Sequence, residues 1–235
     1  MNFVKCCCLV YDENDVKSGY SIAIGSNTGK IRLWSIQKND FVNKIRLDNC
    51  ITALYYNIGY IGVATSDKKS TKLYLLDQTT LGVIASIDTF GDDFMSKLTI
   101  VRSDDVIEGG INMITLSSNV EKIRLWTFQG DTGNEIERYN VDSRAGASEI
   151  NMVNDIVYVI YSVRNAIAAY DPYDFSEIFY VAIDAIVSIQ SIAVNNINTY
   201  LYFSTKNMKI SRISIKENSS EFIRTNKDTN FSIHN

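Results

Sequence analysis

The chain has 235 residues, 46% of them apolar and 21% charged, with a formal net charge of −4. That balance excludes a disordered or collagen-like chain, suffices for one or two domains without a structural metal or disulfide, and offers no basic footprint to a nucleic-acid backbone or an anionic membrane. One proline excludes Pro-rich linkers, and the longest apolar stretches are interrupted by Arg164 or by Asp184 and Gln190, well short of the roughly 20 residues of a membrane span.

Met1-Asn2-Phe3-Val4-Lys5 runs straight into Cys6-Cys7-Cys8-Leu9-Val10. It lacks the apolar core and small-residue cleavage site of a secretory signal, so an intracellular location, cytoplasmic or nuclear, is expected. Neighbouring cysteines on a strand point to opposite faces and cannot bridge one another. The only histidine is His234, so neither a metal site nor a cofactor is expected, and Cys6 to Leu9 reads as a buried apolar strand.

Strands are predicted at about 3–11, 20–25, 30–36 and 41–47, divided by Asp12-Glu13-Asn14-Asp15 and Asn27-Thr28-Gly29. The same grammar returns over 51–87, 95–141, 148–183 and 186–226. Lys30-Ile31-Arg32-Leu33-Trp34-Ser35 reappears as Lys122-Ile123-Arg124-Leu125-Trp126-Thr127, with looser copies at Lys72–Asp77, Ala166–Asp171 and Lys209–Ser214. Markers at Trp34, Leu76, Trp126, Tyr170 and Ile213 are spaced by 42, 50, 44 and 43 residues, a period in the range of stacked repeat architectures. A small hydroxyl residue precedes each marker: Ser26, Ser66, Ser118, Ser162 and Thr205. Strands such as Val157-Tyr158-Val159-Ile160-Tyr161 are apolar on both faces and need cover on both sides. Four-stranded sheets stacked radially supply that cover, whereas a parallel α/β sheet would need helical crossovers that do not stand out here.

Gly25-Ser26 followed by Ile31-Arg32-Leu33-Trp34, with Thr132-Gly133-Asn134 as a turn after Trp126, resembles the WD-repeat family. The likeness runs along the whole chain, with repeats one and three the clearest. It implies an all-β propeller of about five four-stranded antiparallel blades, one domain over 1–235 with blades at about 1–48, 49–90, 91–143, 144–184 and 185–235. The Gly-His pair that opens a family repeat is absent. The Asp of the tight turn is replaced by Thr28, Ser70, Val120, Arg164 and Asn207, so the family's Asp-His-Ser-Trp hydrogen-bonded tetrad cannot form. A self-contained five-bladed ring is expected, with 220–226 as the outer strand of the last blade. A ring completed by a partner's strands, or belonging to a longer chain, is the alternative. Trp34 and Trp126, at equivalent places, are expected to be wedges between blades.

No catalytic constellation emerges. His234 sits too near the end to serve as a preorganised base. Asp92-Asp93 and Asp104-Asp105 read as solvated loop acids, and Gly109-Gly110 lacks the spacing of a phosphate cradle. The expected role is therefore a non-enzymatic scaffold for other proteins within a multi-subunit assembly, an expectation drawn from the resemblance. Rim candidates for binding are Phe90, Asp92, Phe94, Arg144, Arg164, Tyr173 and Phe175, which mix aromatic anchors with charge. A propeller that binds or hydrolyses a small ligand or carbohydrate in its central channel or at its rim is the alternative, and it needs converging carboxylates and aromatics. Nucleic-acid association is disfavoured, because alternation splits Lys206, Lys209 and Arg212 between strand faces.

Overall fold

The computed structural model describes residues 3–11, 19–57, 59–67, 70–89, 94–102, 111–117, 122–129, 132–137, 147–153, 156–161, 163–172, 176–182, 189–195, 200–205 and 210–214. They are all strand, turn or coil, and no helix among them is long and apolar enough to cross a membrane. The chain divides into two compact units, Met1–Val141 and Asp142–Asn235.

The first unit holds three modules. Module 1 is β1 (Val4–Tyr11), β2 (Tyr20–Ser26), β3 (Lys30–Ser35) and β4 (Asp40–Arg46); module 2 is β5 (Cys50–Asn57), β6 (Tyr60–Ser66), β7 (Thr71–Asp77) and β8 (Val83–Thr89). Module 3 is β9 (Met95–Arg102), β10 (Ile111–Ser117), β11 (Lys122–Gln129) and β12 (Thr132–Glu137). Each is an antiparallel meander in chain order, and one parallel pair, Thr132 with Ser86, joins the outer strands of modules 2 and 3. The expected turn at Thr132-Gly133-Asn134 instead lies inside β12, because that strand pairs with β11 from Gln129 onward. The first strands of successive modules, β1, β5 and β9, lie side by side.

The second unit holds module 4, β13 (Ala147–Val153), β14 (Ile156–Tyr161), β15 (Ala166–Tyr170) and β16 (Glu177–Ala182), and module 5, β17 (Ile189–Asn195), β18 (Tyr200–Thr205) and β19 (Ile210–Ser214). β14 from Val157 and β15 are buried on both faces, as their unbroken apolar character demands, and the Tyr161 and Tyr170 hydroxyls meet at 2.8 Å. Burial pushes the Tyr158 phenol up to about 12. A fourth strand at 220–226 falls outside the described residues.

Strand pairing places the repeat in register. The five markers oppose Ile22, Ile61, Met113, Val157 and Leu201 on the second strand of their modules. Four residues beyond those partners stand Ser26, Thr65, Ser117, Tyr161 and Thr205. The hydroxyl position expected at Ser66, Ser118 and Ser162 is thus one residue late in modules 2, 3 and 4, where the second hairpin is longer.

Two apolar layers hold the first unit together. One face of module 1, with Val10, Ala23, Ile31 and Leu33, packs on Ile51, Leu54, Ile61, Val63, Tyr74 and Leu76 of module 2. The opposite face of module 2, with Ala53, Ala64, Leu73, Leu75, Ala85 and Ile87, packs on Met95, Leu98, Ile100, Met113, Trp126 and Phe128 of module 3. Period-2 alternation sorts each strand between these layers.

After β7 the chain turns around Asp77, whose Oδ1 accepts hydrogen bonds from the Thr80 N–H (2.7 Å), the Thr80 hydroxyl (2.8 Å) and the Thr79 N–H (3.0 Å). The Thr80 N–H, followed by the Thr80 hydroxyl and the Thr79 N–H, outweighs desolvation and holds this carboxyl below its usual range. A folded-state value below the unfolded one stabilises the fold above the unfolded pKa, and that stability is lost as pH falls through the folded pKa. Asp77→Asn is accordingly expected to cost about 0.5 to 1 kcal/mol near neutrality, given the exposure of the site. Urea titrations of both proteins should show the gap closing in acid; a gap independent of pH would contradict the role of the charge.

Candidate interaction face on the first sheet

Of the rim residues expected to bind, Phe94 is 45% exposed immediately before β9, and Arg164 is exposed in the β14–β15 turn, its N–H donating to the Tyr161 carbonyl at 3.1 Å. They belong to different units. Phe90, Asp92, Arg144, Tyr173 and Phe175 lie outside the described residues.

A different surface stands out when equivalent positions are compared. In modules 2 and 3 the face that carries the marker is buried by the preceding module: Leu54, Ile61, Val63 and Leu76 are at most 8% exposed, as are Leu98, Ile100, Met113 and Trp126. In module 1 the same positions are Cys7, Ile22, Ile24 and Trp34, with Leu9 matching Ile100. Leu9 is 54% exposed, Cys7 is exposed, and Ile22, Ile24 and Trp34 are only half-buried. The expectation that Trp34 and Trp126 share surroundings fails here. Their ladder positions match, yet Trp126 is 1% exposed between modules 2 and 3 while Trp34 is only half-buried. Cys6 to Leu9 is likewise only half buried, because alternation sends Cys6 and Cys8 inward and Cys7 and Leu9 outward on a strand that forms one edge of its sheet.

Aromatic contacts order this face. Trp34 meets Phe41 edge-on at 4.8 Å, Tyr11 stacks on Tyr20 at 4.8 Å, and the Arg32 guanidinium lies 5.2 Å from the Phe41 ring centroid. A groove of about 390 Å³ runs between Arg32, Phe41, Val42, Asn43 and Lys44, and another of about 210 Å³ is lined by Phe3, Val4, Ile24, Ser26, Lys30, Arg32 and Phe41. Lys30 is directly opposite Arg46, and Arg32 opposite Lys44. Asp40 is the only carboxylate in β1–β4, and it is registered with Ser35, whose neighbours alternate onto the other face. One end of the surface is therefore aromatic and aliphatic, and the other is cationic, with no carboxylate from β1–β4 on the same face.

Trp126 also carries a hydrogen bond that sequence reading missed. Its indole N–H donates to the Thr115 hydroxyl at 2.8 Å within the buried layer. Thr115 corresponds to Ile24 in module 1, which has no acceptor. A threonine two residues along from the marker's partner was the available signal.

No protein-family model matches the chain, and no curated protein matches it in sequence. Solved structures do match. The β-propeller domain of Cps50 (Swd1) from Myceliophteria thermophila superimposes with a TM-score of 0.66 at 11% identity, covering 94% of this chain and 72% of that one. The fold is a β-propeller. BamB from Moraxella catarrhalis matches with a TM-score of 0.58 at 11% identity over 90% of this chain, which spans only 61% of BamB. The computationally designed Ika8 protein matches with a TM-score of 0.56 at 11% identity, over 88% of this chain and 57% of that one. The modules are thus propeller blades, and the partly exposed surface is the marker face of the first blade.

Proposed function

We propose that this propeller is a degenerate WD-repeat-like, non-enzymatic scaffold that holds other proteins in an intracellular assembly. The partly exposed marker face of blade 1 supports this reading most directly. Phe41 at 44%, Leu9 at 54% and Tyr20 at 50% exposure place large apolar side chains on one face of one sheet, and exposed apolar surfaces mark sites of association. Exposed aromatics flanked by arginine are the side chains that dominate binding energy at protein interfaces. The carbohydrate or small-ligand alternative calls for converging carboxylates, and neither groove on this face carries one.

Affinity purification of the tagged chain from its native cells, followed by quantitative mass spectrometry, tests the proposal. One stoichiometric set of proteins is expected, depleted about tenfold or more by Leu9→Asp together with Trp34→Glu. Far-UV circular dichroism should show the variant folded. Equal recovery with both baits, or no partner with either, would end the scaffold reading for this face.

A further inference from the structure

Blades 1 and 2 differ in charge at matching ladder positions. Four residues before the marker of blade 2, Lys72 stands opposite Asp88 and forms an ion pair with it at 3.0 Å, and two residues further on Tyr74 stands opposite Ser86. The same places in blade 1 hold Lys30 opposite Arg46 and Arg32 opposite Lys44. A neutral lattice has become four cations. Directly opposed like charges destabilise a sheet, and among the described residues none of the four has a carboxylate within ion-pair distance. A single arginine at this place demands no anion, since Arg124 of blade 3 occupies it at 6% exposure. The quartet is what blade 1 adds.

Geometry gathers the four side chains. Alternation puts Lys30 and Arg32 on one face of β3, and the register sets Arg46 and Lys44 beside them on β4. Opposed Cβ atoms lie about 5 Å apart and alternate residues of a strand about 7 Å apart, so the quartet occupies a patch of that scale. Arg32, Lys44 and Arg46 are exposed, and Lys30 is half-buried. Arg32 and Phe41 line both grooves on this face, one of which continues to Lys44 and the other to Lys30. Every group named belongs to one sheet.

Four charges in so small an area match a ligand that concentrates negative charge. A phosphate group carries about −1.5 to −2 near neutrality, so two or three offset the quartet. The guanidinium fork binds phosphate oxygens in pairs. At an ionic strength of about 0.15 M the Debye length is about 8 Å, and the four cations therefore act together on a compact anion. An extended polyanion or an anionic membrane also meets the chain's formal net charge of −4. We propose that Lys30, Arg32, Lys44 and Arg46 form a binding site for a small soluble anion bearing two or more phosphate groups, seated beside Phe41 between the two grooves. The site goes beyond the scaffold reading, and each can stand or fall without the other.

Isothermal titration calorimetry of the full chain with sodium tripolyphosphate, joined to thermal melts, tests the site. One ligand should bind per chain and raise the melting temperature, with affinity falling about tenfold as salt is raised from about 0.05 to 0.5 M. Lys44→Glu/Arg46→Glu should bind about a hundredfold more weakly, and Lys44→Gln/Arg46→Gln about tenfold. The Glu pair sets opposite signs across the ladder, so its own melting temperature should hold or rise. If it falls, the Gln pair carries the comparison. Lys38→Glu, in the β3–β4 turn at the far end of the hairpin, should bind like the unsubstituted chain.

Tripolyphosphate that gives neither heat nor a thermal shift would overturn the proposal. So would unchanged affinity in the Gln pair, or a loss in Lys38→Glu as large as in the Glu pair. Tighter binding of a single-stranded oligonucleotide or of anionic-lipid vesicles than of tripolyphosphate would also overturn it, because the ligand would then be a polymer or a surface.

Discussion

Trp126→Ala is expected to lower the unfolding free energy by about 3 to 5 kcal/mol, while Trp34→Ala lowers it by about 1 kcal/mol or less. Trp126 is 1% exposed, fills the layer between blades 2 and 3, and hydrogen-bonds the buried Thr115 hydroxyl. Truncation leaves a cavity the size of an indole and strands the hydroxyl of a residue that is itself 1% exposed. Trp34 has Phe41 at 4.8 Å and Ile22 opposite it, with solvent reaching what remains. Its removal costs part of one apolar contact and opens no closed cavity. Urea denaturation of the two variants, followed by far-UV circular dichroism, measures the difference. Equal losses would mean that the marker face of blade 1 is covered in the free protein, and the proposed partner would lose its seat.

Gly29→Ala is expected to cost about 3 kcal/mol or more. Gly29 turns the β2–β3 hairpin at φ +76°, and a Cβ there would stand 2.1 Å from the Leu47 carbonyl oxygen and 2.9 Å from that of Asn49. Both obstacles are backbone. The Leu47 N–H donates to the Gly29 carbonyl at 2.8 Å, so the obstructing segment cannot retreat without losing that bond. Gly59 is the control. It has φ +82° and nothing within 4 Å of the place a Cβ would take, so Gly59→Ala should cost only the dihedral strain of about 1 kcal/mol. Similar losses at the two sites, read from thermal or urea unfolding, would show that the close approach at Gly29 contributes little.

Much of the fold was legible because its signals are local. Alternating apolar residues and Asp/Asn/Gly-rich turns located strands that the structure places at Val4–Tyr11, Tyr20–Ser26, Lys30–Ser35 and Asp40–Arg46, within a residue or so of expectation. The Lys-Ile-Arg-Leu-Trp repeat correctly marked equivalent third strands. Hairpin length was less legible. The hydroxyl register slipped in three blades because loop residues carry no period, and Thr132-Gly133-Asn134 has turn composition yet pairs as strand. Of the rim residues proposed for binding, the structure describes Phe94 and Arg164, both exposed. The marker face of blade 1 was not legible as a site, since each of its residues has the composition of a blade interior.

Residues 30–34 and 122–126 make the division plain. They are the same five amino acids in the same order, and local chemistry alone determined that both form a third strand with Ile and Leu on one face and Arg and Trp on the other. Whether the Arg and Trp face is buried was decided by tertiary structure: blade 2 stands against Trp126 and leaves it 1% exposed, while Trp34 is half-buried and Arg32 exposed. Burial is a property of the neighbour as much as of the residue, and no local pattern encodes which neighbour a sheet will meet.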